Sequence, residues 1–241
     1  MTAIEAPCLL CGAAAPFAAR AANRPVYACP VCGMRFVPPS CHVSRDEEET
    51  RYRLHRNTIE DAGYVRFLSA AVEALKRWLP CRSALPGARQ DMPEEGRPAV
   101  LDYGSGPGPV LVELLRRAGY DAAGYDPFFS RFGETGRTWD AVVSTEVFEH
   151  FREPAGEIGR IVRLIRPGGL LVVMTSFYSG QDLASWHYSL DTTHVCFYSA
   201  STFEYMAHIW RFKMLETNGN NVVVLRRESQ DRGMASCSCL L

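Results

Sequence analysis

The sequence predicts an α/β domain on a mainly parallel sheet, preceded by a small metal-stabilised ribbon and a helical connector. Three features point there: two C-x2-C pairs near the start, an amphipathic stretch after them, and short apolar runs alternating with helical segments from residue 99. The 241 residues suit one ordinary domain with an appendage, being 47% hydrophobic and 22% charged with a net charge of −1. That balance lacks the strongly basic footprint of extensive nucleic-acid contact. No apolar run approaches the ~20 residues of a membrane helix, and residues 1–7 have no basic-then-apolar signal. A cytoplasmic protein with no membrane partner is therefore expected.

Cys8-Leu9-Leu10-Cys11 and Cys29-Pro30-Val31-Cys32 stand 17 residues apart, within the window of a four-cysteine zinc site. Gly12 and Gly33 follow the pairs and suit a tight turn with positive φ. Four thiolates fill a tetrahedron and leave no position for water, so Cys8, Cys11, Cys29 and Cys32 predict a structural Zn2+ in a ribbon over residues 1–44. About 40 residues bury little core, and metal binding supplies what packing cannot. The competing reading is a pair of redox motifs; the nine cysteines, an odd number, speak against a disulfide framework. Cys41 and His42 lie beyond the complete site and take no role.

Residues 45–98 read as a helical connector and linker. Asp46-Glu47-Glu48-Glu49 opens and Lys76-Arg77 closes a breaker-poor stretch, matching a helix dipole. Tyr64, Phe67, Leu68, Ala71, Val72, Leu75 and Trp78 form its apolar stripe, and residues 80–98, rich in proline and glycine, form a loop. Residues 99–228 form the main domain. Its strands are expected at 99–103, 121–125, 140–144 and 170–175, with helices near 109–118, 153–165 and 199–210. The runs 211–216 and 222–227 flank Thr217-Asn218-Gly219-Asn220-Asn221, a turn signal for a closing antiparallel hairpin. Residues 229–241 read as a flexible tail.

Leu101-Asp102-Tyr103-Gly104-Ser105-Gly106-Pro107-Gly108-Pro109 follows the first strand, where glycines let backbone approach a ligand. Pro109 departs from the dinucleotide fingerprint and no Lys-Ser/Thr completes a phosphate loop. Asp102 at the loop repels pyrophosphate and suits a cation such as a sulfonium. Asp126, ending the second strand, is placed to accept hydrogen bonds from a ribose diol.

With these motifs, LDYGSGPG, GYDP, WDAVVSTEVFEHF and IRPGGLLVVMT, the sequence resembles the class I S-adenosylmethionine-dependent methyltransferases across residues 101–175. The resemblance implies a Rossmann-like sheet and S-adenosylmethionine as cosubstrate. Asp102, Gly104, Ser105 and Gly106 would cradle its amino acid part, Asp126 and Pro127 would hold the ribose, and Thr145, Glu146 and Val147 would line the cofactor. Glu149-His150 occupies the family's E-H position and reads equally as the start of a helix. Only 13 residues separate Asp126 from Asp140, too few for a further helix and strand, so the usual third strand is expected to be missing. Phe128, Phe129 and Arg131 are the nearby candidates for the adenine contact.

Residues 186–199 follow the strand at Leu170 and form the expected substrate wall. They resemble the stretch before the helix in zinc-ribbon-bearing C-methyltransferases of deoxysugar pathways. That likeness makes His194 the general base, with Tyr188 and Asp191 in support. Thr193 stands where an acidic residue is expected, and the further C-terminal domain of those enzymes is not expected from these residues. His194 as a buried histidine bonded to a main-chain carbonyl, or His187, Asp191 and His194 as a metal site, are the competing readings. The function expected is methylation of a small molecule. The alternatives are an rRNA or tRNA methyltransferase gripping RNA through Arg20, Arg24 and Arg35, and a non-catalytic zinc-ribbon interaction module. Acceptor and oligomeric state stay open.

Overall fold

The computed structural model describes residues 5–54, 57–81, 96–130 and 136–229. Most of the proline-rich linker, Arg131 and the tail from residue 230 lie outside them. The N-terminal ribbon comprises β1 (Glu5–Pro7), β2 (Ala14–Ala21), β3 (Arg24–Ala28) and β4 (Arg35–Phe36), all antiparallel. Helices α1 (Arg45–Tyr52) and α2 (Ala62–Trp78) follow. A capping box between Ser44 and Glu47 starts α1, and the Asp61 carboxylate accepts the Gly63 and Tyr64 N–H groups at the start of α2.

The main sheet contains β5 (Ala99–Tyr103), β6 (Asp121–Tyr125), β7 (Trp139–Thr145), β8 (Ile165–Met174), β10 (Phe212–Thr217) and β11 (Val222–Arg227), in the order β10-β11-β8-β7-β5-β6. Strands β6, β5, β7 and β8 are parallel, and the hairpin β10–β11 joins antiparallel to β8. Among the described residues no strand lies beyond β6, as the short connection to Asp140 requires. Helices α3 (Val110–Arg117), α4 (Pro154–Leu164), α5 (His187–Leu190) and α6 (Ala200–Ile209) complete the domain, with the two-residue β9 (Cys196–Phe197) between the last two.

Alternation along the central strands sorts their side chains into two cores. Leu101, Val142, Leu171 and Val173 face α4, α6 and the ribbon; Val100, Val143, Val172 and Met174 face α2 and α3. Burial on both faces is what a parallel sheet requires, and each such side chain contributes about 1.5–3 kcal/mol. The stripe of α2 is buried at Leu68, Ala71, Val72 and Leu75, whereas Phe67 lies at its margin, exposed and stacked on Tyr64. Among the described residues no helix is long and apolar enough to cross a membrane.

The ribbon is built into this domain. β4 pairs antiparallel with β9, so residues from the two ends of the chain share one five-stranded sheet. Met34 and Phe36 of the ribbon belong to the same core as Phe148, Tyr198 and Phe203. Gly33 shows how close the parts come: its φ is +74°, and a Cβ there would meet Ser201 Oγ at 2.3 Å.

Candidate active site

The glycine loop connects β5 to α3 at the carboxyl end of the sheet, where parallel α/β folds bind ligands. The N–H groups of Gly104 and Ser105 donate to the Tyr125 carbonyl (2.7 and 3.0 Å), which ties the loop to β6. At φ +90°, a Cβ on Gly104 would stand 2.3 Å from Val147 Cγ2, so only glycine fits. The facing loop carries strain of its own: Glu146 has φ +53°, a conformation costing about 1–3 kcal/mol outside glycine. Its N–H donates to the Met174 carbonyl (2.8 Å), which keeps Val147 over the glycine loop.

These loops open into a cleft of about 740 Å³. Every sequence-predicted cofactor residue lines it: Asp102, Gly104, Ser105, Gly106, Asp126, Pro127, Thr145, Glu146 and Val147. Asp126 organises one wall, its Oδ2 accepting from the Gly106 N–H (2.9 Å) and its Oδ1 from the Phe128 and Phe129 N–H groups (2.9 and 3.2 Å). Phe128 and Phe129 also line the cleft, and Tyr52 meets Phe128 edge-on at 5.6 Å. Helix α1 thus forms a roof, through Arg45, Glu48, Arg51 and Tyr52, which the sequence does not single out. Its ion pairs Arg51–Asp191 (2.6 Å) and Glu48–Arg152 (3.0 Å) clamp it to the opposite wall.

The predicted substrate wall divides. His194 and Asp191 line the cleft, while Tyr188 is buried behind it. The Tyr188 hydroxyl donates to Thr175 Oγ1 (2.8 Å), which donates to Glu149 Oε2 (2.8 Å). Tyr188 supports His194 by its carbonyl, 2.7 Å from Nδ1, and by its ring, 4.3 Å between centroids. A carbonyl only accepts, so His194 carries its hydrogen on Nδ1. The carbonyl bond of the competing sequence reading is present, on a histidine that is half-buried and lines the cleft. Asp191 accepts from the Thr193 N–H and hydroxyl and pairs with Arg51, so it shapes the loop and anchors the roof. The metal reading of His187, Asp191 and His194 is replaced: the cluster among the described residues that includes His194 is Glu149, His150 and His194.

Burial pushes His194 down to about 4, helped by the neighbouring His150, so its imidazole is neutral near pH 7. Burial, then the charge of Asp126, pushes Asp102 up to about 8; burial, then Glu149, pushes Glu146 up to about 9. In the folded chain both acids hold protons that the unfolded chain releases above about pH 4, so their stabilising contribution is lost as pH rises towards 8 and 9. His194 acts oppositely, but only between about pH 4 and 6.5. Melting temperature is expected to fall from pH 6.5 to 9, and Asp102→Asn to flatten that slope; a parallel slope in the variant would contradict the assignment.

Arg24 is the residue whose role sequence reasoning missed. Named in the sequence only as a candidate RNA contact, it is buried, and its guanidinium donates to four carbonyls of the His194 loop: Ser189 (2.9 Å), Asp191 (2.8 Å), Thr192 (2.8 Å) and His194 (3.0 Å). Arg35 is also turned inward, bonding the Gly33 carbonyl and lying 3.9 Å over the Tyr178 ring. Only the fixed fork of arginine spans four acceptors, and charged hydrogen bonds contribute about 1.5–3 kcal/mol each. Arg24→Ala is expected to lower the melting temperature and to loosen residues 189–194 in hydrogen exchange, and Arg24→Lys to restore neither. Unchanged exchange in Arg24→Ala would refute this positioning role.

In the ribbon, the Cys8 and Cys32 sulfurs are 3.5 Å apart and those of Cys11 and Cys29 3.4 Å. A disulfide needs about 2.05 Å, and sulfurs around one tetrahedral ion with 2.3 Å bonds stand about 3.8 Å apart. The two turns match: Gly12 N–H donates to the Cys8 carbonyl, and Gly33 N–H to that of Cys29. Together the four cysteines form a group that could hold a metal ion. Cys41 and His42 stay outside it, His42 Nε2 bonding the Val37 carbonyl (2.9 Å).

The family model described as "Methyltransferase domain" matches residues 70–216, more than half of the chain. The chain belongs to this methyltransferase family. Solved methyltransferases resemble it distantly. An O-methyltransferase family protein from Burkholderia thailandensis is 15% identical, with 76% of this chain and 64% of that one covered and a TM-score of 0.40. An N-methyltransferase from Haemonchus contortus, solved with S-adenosylhomocysteine, is 13% identical over 67% and 53% at 0.45. An S-adenosylmethionine dependent methyltransferase from Mesorhizobium loti is 13% identical over 66% and 100% at 0.45. The chain thus spans less than two thirds of the first two. No curated protein matches it. One feature of the cleft fits S-adenosylmethionine: Asp102 Oδ1 is buried in its wall with no hydrogen-bond partner among the described residues.

Proposed function

We propose that the protein is an S-adenosylmethionine-dependent methyltransferase acting on a small-molecule acceptor, with a structural zinc ion on Cys8, Cys11, Cys29 and Cys32. The observation that carries this reading is a cleft lined by the glycine loop, Asp102, Asp126 and His194 together. S-adenosylmethionine, when bound, supplies an electrophilic methyl group on a sulfonium, transferred by in-line displacement. Asp102 and Asp126 hold the donor's polar groups, and the glycines admit it to the backbone. The roof formed by α1 excludes water and narrows the acceptor side. His194, neutral and fixed through Nδ1, accepts the acceptor's proton on Nε2. A base held near 4 suits an acceptor whose proton is itself labile.

The inward arginines favour a small acceptor over RNA, because Arg24 and Arg35 are committed within the protein. The test is incubation with methyl-labelled S-adenosylmethionine and source-cell extract. Label in small molecules supports the reading, and label in nuclease-sensitive polymer overturns it. On the donor side, Asp126→Ala removes three backbone acceptor contacts and is expected to weaken S-adenosylmethionine binding at least tenfold in calorimetry. Unchanged affinity would dismiss Asp126 as a binding residue.

A further inference from the structure

Behind the acceptor side of the cleft, Glu149, His150 and His194 each offer one ligand atom, all within 4.8 Å of one another. Glu149 sits in a short 3-10 turn (Phe148–His150) and is completely buried. Its Oε2 accepts from Thr175 Oγ1, but its Oε1 is buried without a hydrogen-bond partner among the described residues. Leaving a carboxylate oxygen so placed is costly unless positive charge meets it.

His150 faces that oxygen, and His194 lies within reach of the same carboxylate. His150 Nδ1 bonds the Thr193 carbonyl (3.1 Å) and His194 Nδ1 the Tyr188 carbonyl (2.7 Å). With Nδ1–H given to a carbonyl, Nε2 is each ring's ligand nitrogen, the arrangement by which second-shell carbonyls orient metal-bound imidazoles. His150 Nε2 lies 4.0 Å from Glu149 Oε1, too far for a hydrogen bond. Two ligands each about 2.0–2.2 Å from one ion stand about 3–4 Å apart, which matches that separation. Every ligand therefore has its other polar atom fixed, and the turn, Thr175 just after β8 and the His194 loop each contribute part of the frame.

We infer that Glu149, His150 and His194 bind one divalent transition-metal ion, and that the acceptor is a small molecule whose hydroxyl coordinates it. Two imidazoles and one carboxylate suit zinc, manganese, iron(II) or cobalt rather than calcium, which takes oxygen ligands. Three protein ligands leave positions open towards the cleft. The ion acidifies the coordinated hydroxyl, whose proton passes to solvent, and His194 then serves as a ligand instead of a proton acceptor. The oxygen's electron pair forms the bond to the methyl carbon as the carbon–sulfur pair leaves with sulfur. The acceptor class rests on the methyl-transfer reading; the metal site does not.

The test is titration of the full chain, as purified, with Mn2+ followed by electron paramagnetic resonance, since the ribbon thiolates prefer softer ions. One bound Mn2+ per chain is expected. Glu149→Gln keeps the shape and the Thr175 bond, and it should weaken binding at least tenfold; His150→Gln, a second variant, should do the same. No binding at millimolar Mn2+ or Co2+, or binding that both variants retain, would overturn the inference. Asp126→Ala separates the two readings, because it should lose donor affinity and keep Mn2+. If the wild type binds Mn2+ but transfers no methyl group, the metal site stands and the methyl-transfer reading falls. Methyl transfer undiminished by chelator, in a protein that binds no Mn2+, overturns the ion alone.

Discussion

Replacing His194 with alanine is expected to slow methyl transfer about 10²–10⁴-fold while leaving S-adenosylmethionine affinity unchanged, the usual effect of removing a positioned acid–base group. The separation rests on different contacts within one cleft: Asp126 bonds the Gly106 N–H of the glycine loop, whereas His194 bonds the Tyr188 carbonyl. Its Nδ1 contact to Tyr188 lies on the far ring edge, so truncation removes the chemistry and one loop contact together. His194→Gln is the control that retains a polar group of similar reach. Donor affinity by calorimetry and turnover on the labelled acceptor measure the two quantities separately. A variant of full activity across pH 6–9 would remove His194 from the reaction, whether as base or as ligand.

The second large effect is expected from Cys29→Ser, which should release zinc and unfold more than the ribbon. Structural zinc sites of this type contribute about 10–16 kcal/mol, comparable with the whole stability of a domain at about 5–15 kcal/mol. Because β4 pairs with β9 and Met34 and Phe36 share the core of Tyr198 and Phe203, the loss propagates to the wall bearing His194. Metal analysis of the wild type should find zinc, and the variant should melt far lower or fail to accumulate as soluble protein. A wild type devoid of zinc, or a variant that melts normally, would refute a structural metal.

Much of this arrangement was legible in the chain. The strands at 99–103 and 121–125 coincide with the observed ones: the first is buried along its length, and the second is a half-buried edge strand marked by the turn residues around it. The doubled C-x2-C spacing and the glycine loop were legible for the same reason: local geometry alone demands those residues at those intervals. Contacts made across the fold were not. β9 is two residues long and pairs with β4 across about 160 positions, leaving no local periodicity to read. Arg24 looks like any exposed charge until residues 189–194 are brought beside it. Glu149 opens a turn after β7 just as a helix start does, and only its burial beside His150 and His194 distinguishes it.

The pairing of β4 with β9 also fixes an order of events as the chain leaves the ribosome. The four cysteines emerge early and can gather a metal at once, but the outer edge of β4 has no neighbour until Cys196 and Phe197 follow. An open strand edge invites pairing with other chains, and contacts so distant in sequence form slowly. Until then the Arg24 guanidinium also lacks the carbonyls that surround it in the finished protein. A fragment ending at residue 44 should therefore bind metal yet associate with itself, and grafting the ribbon onto another domain would require carrying residues 189–197 with it.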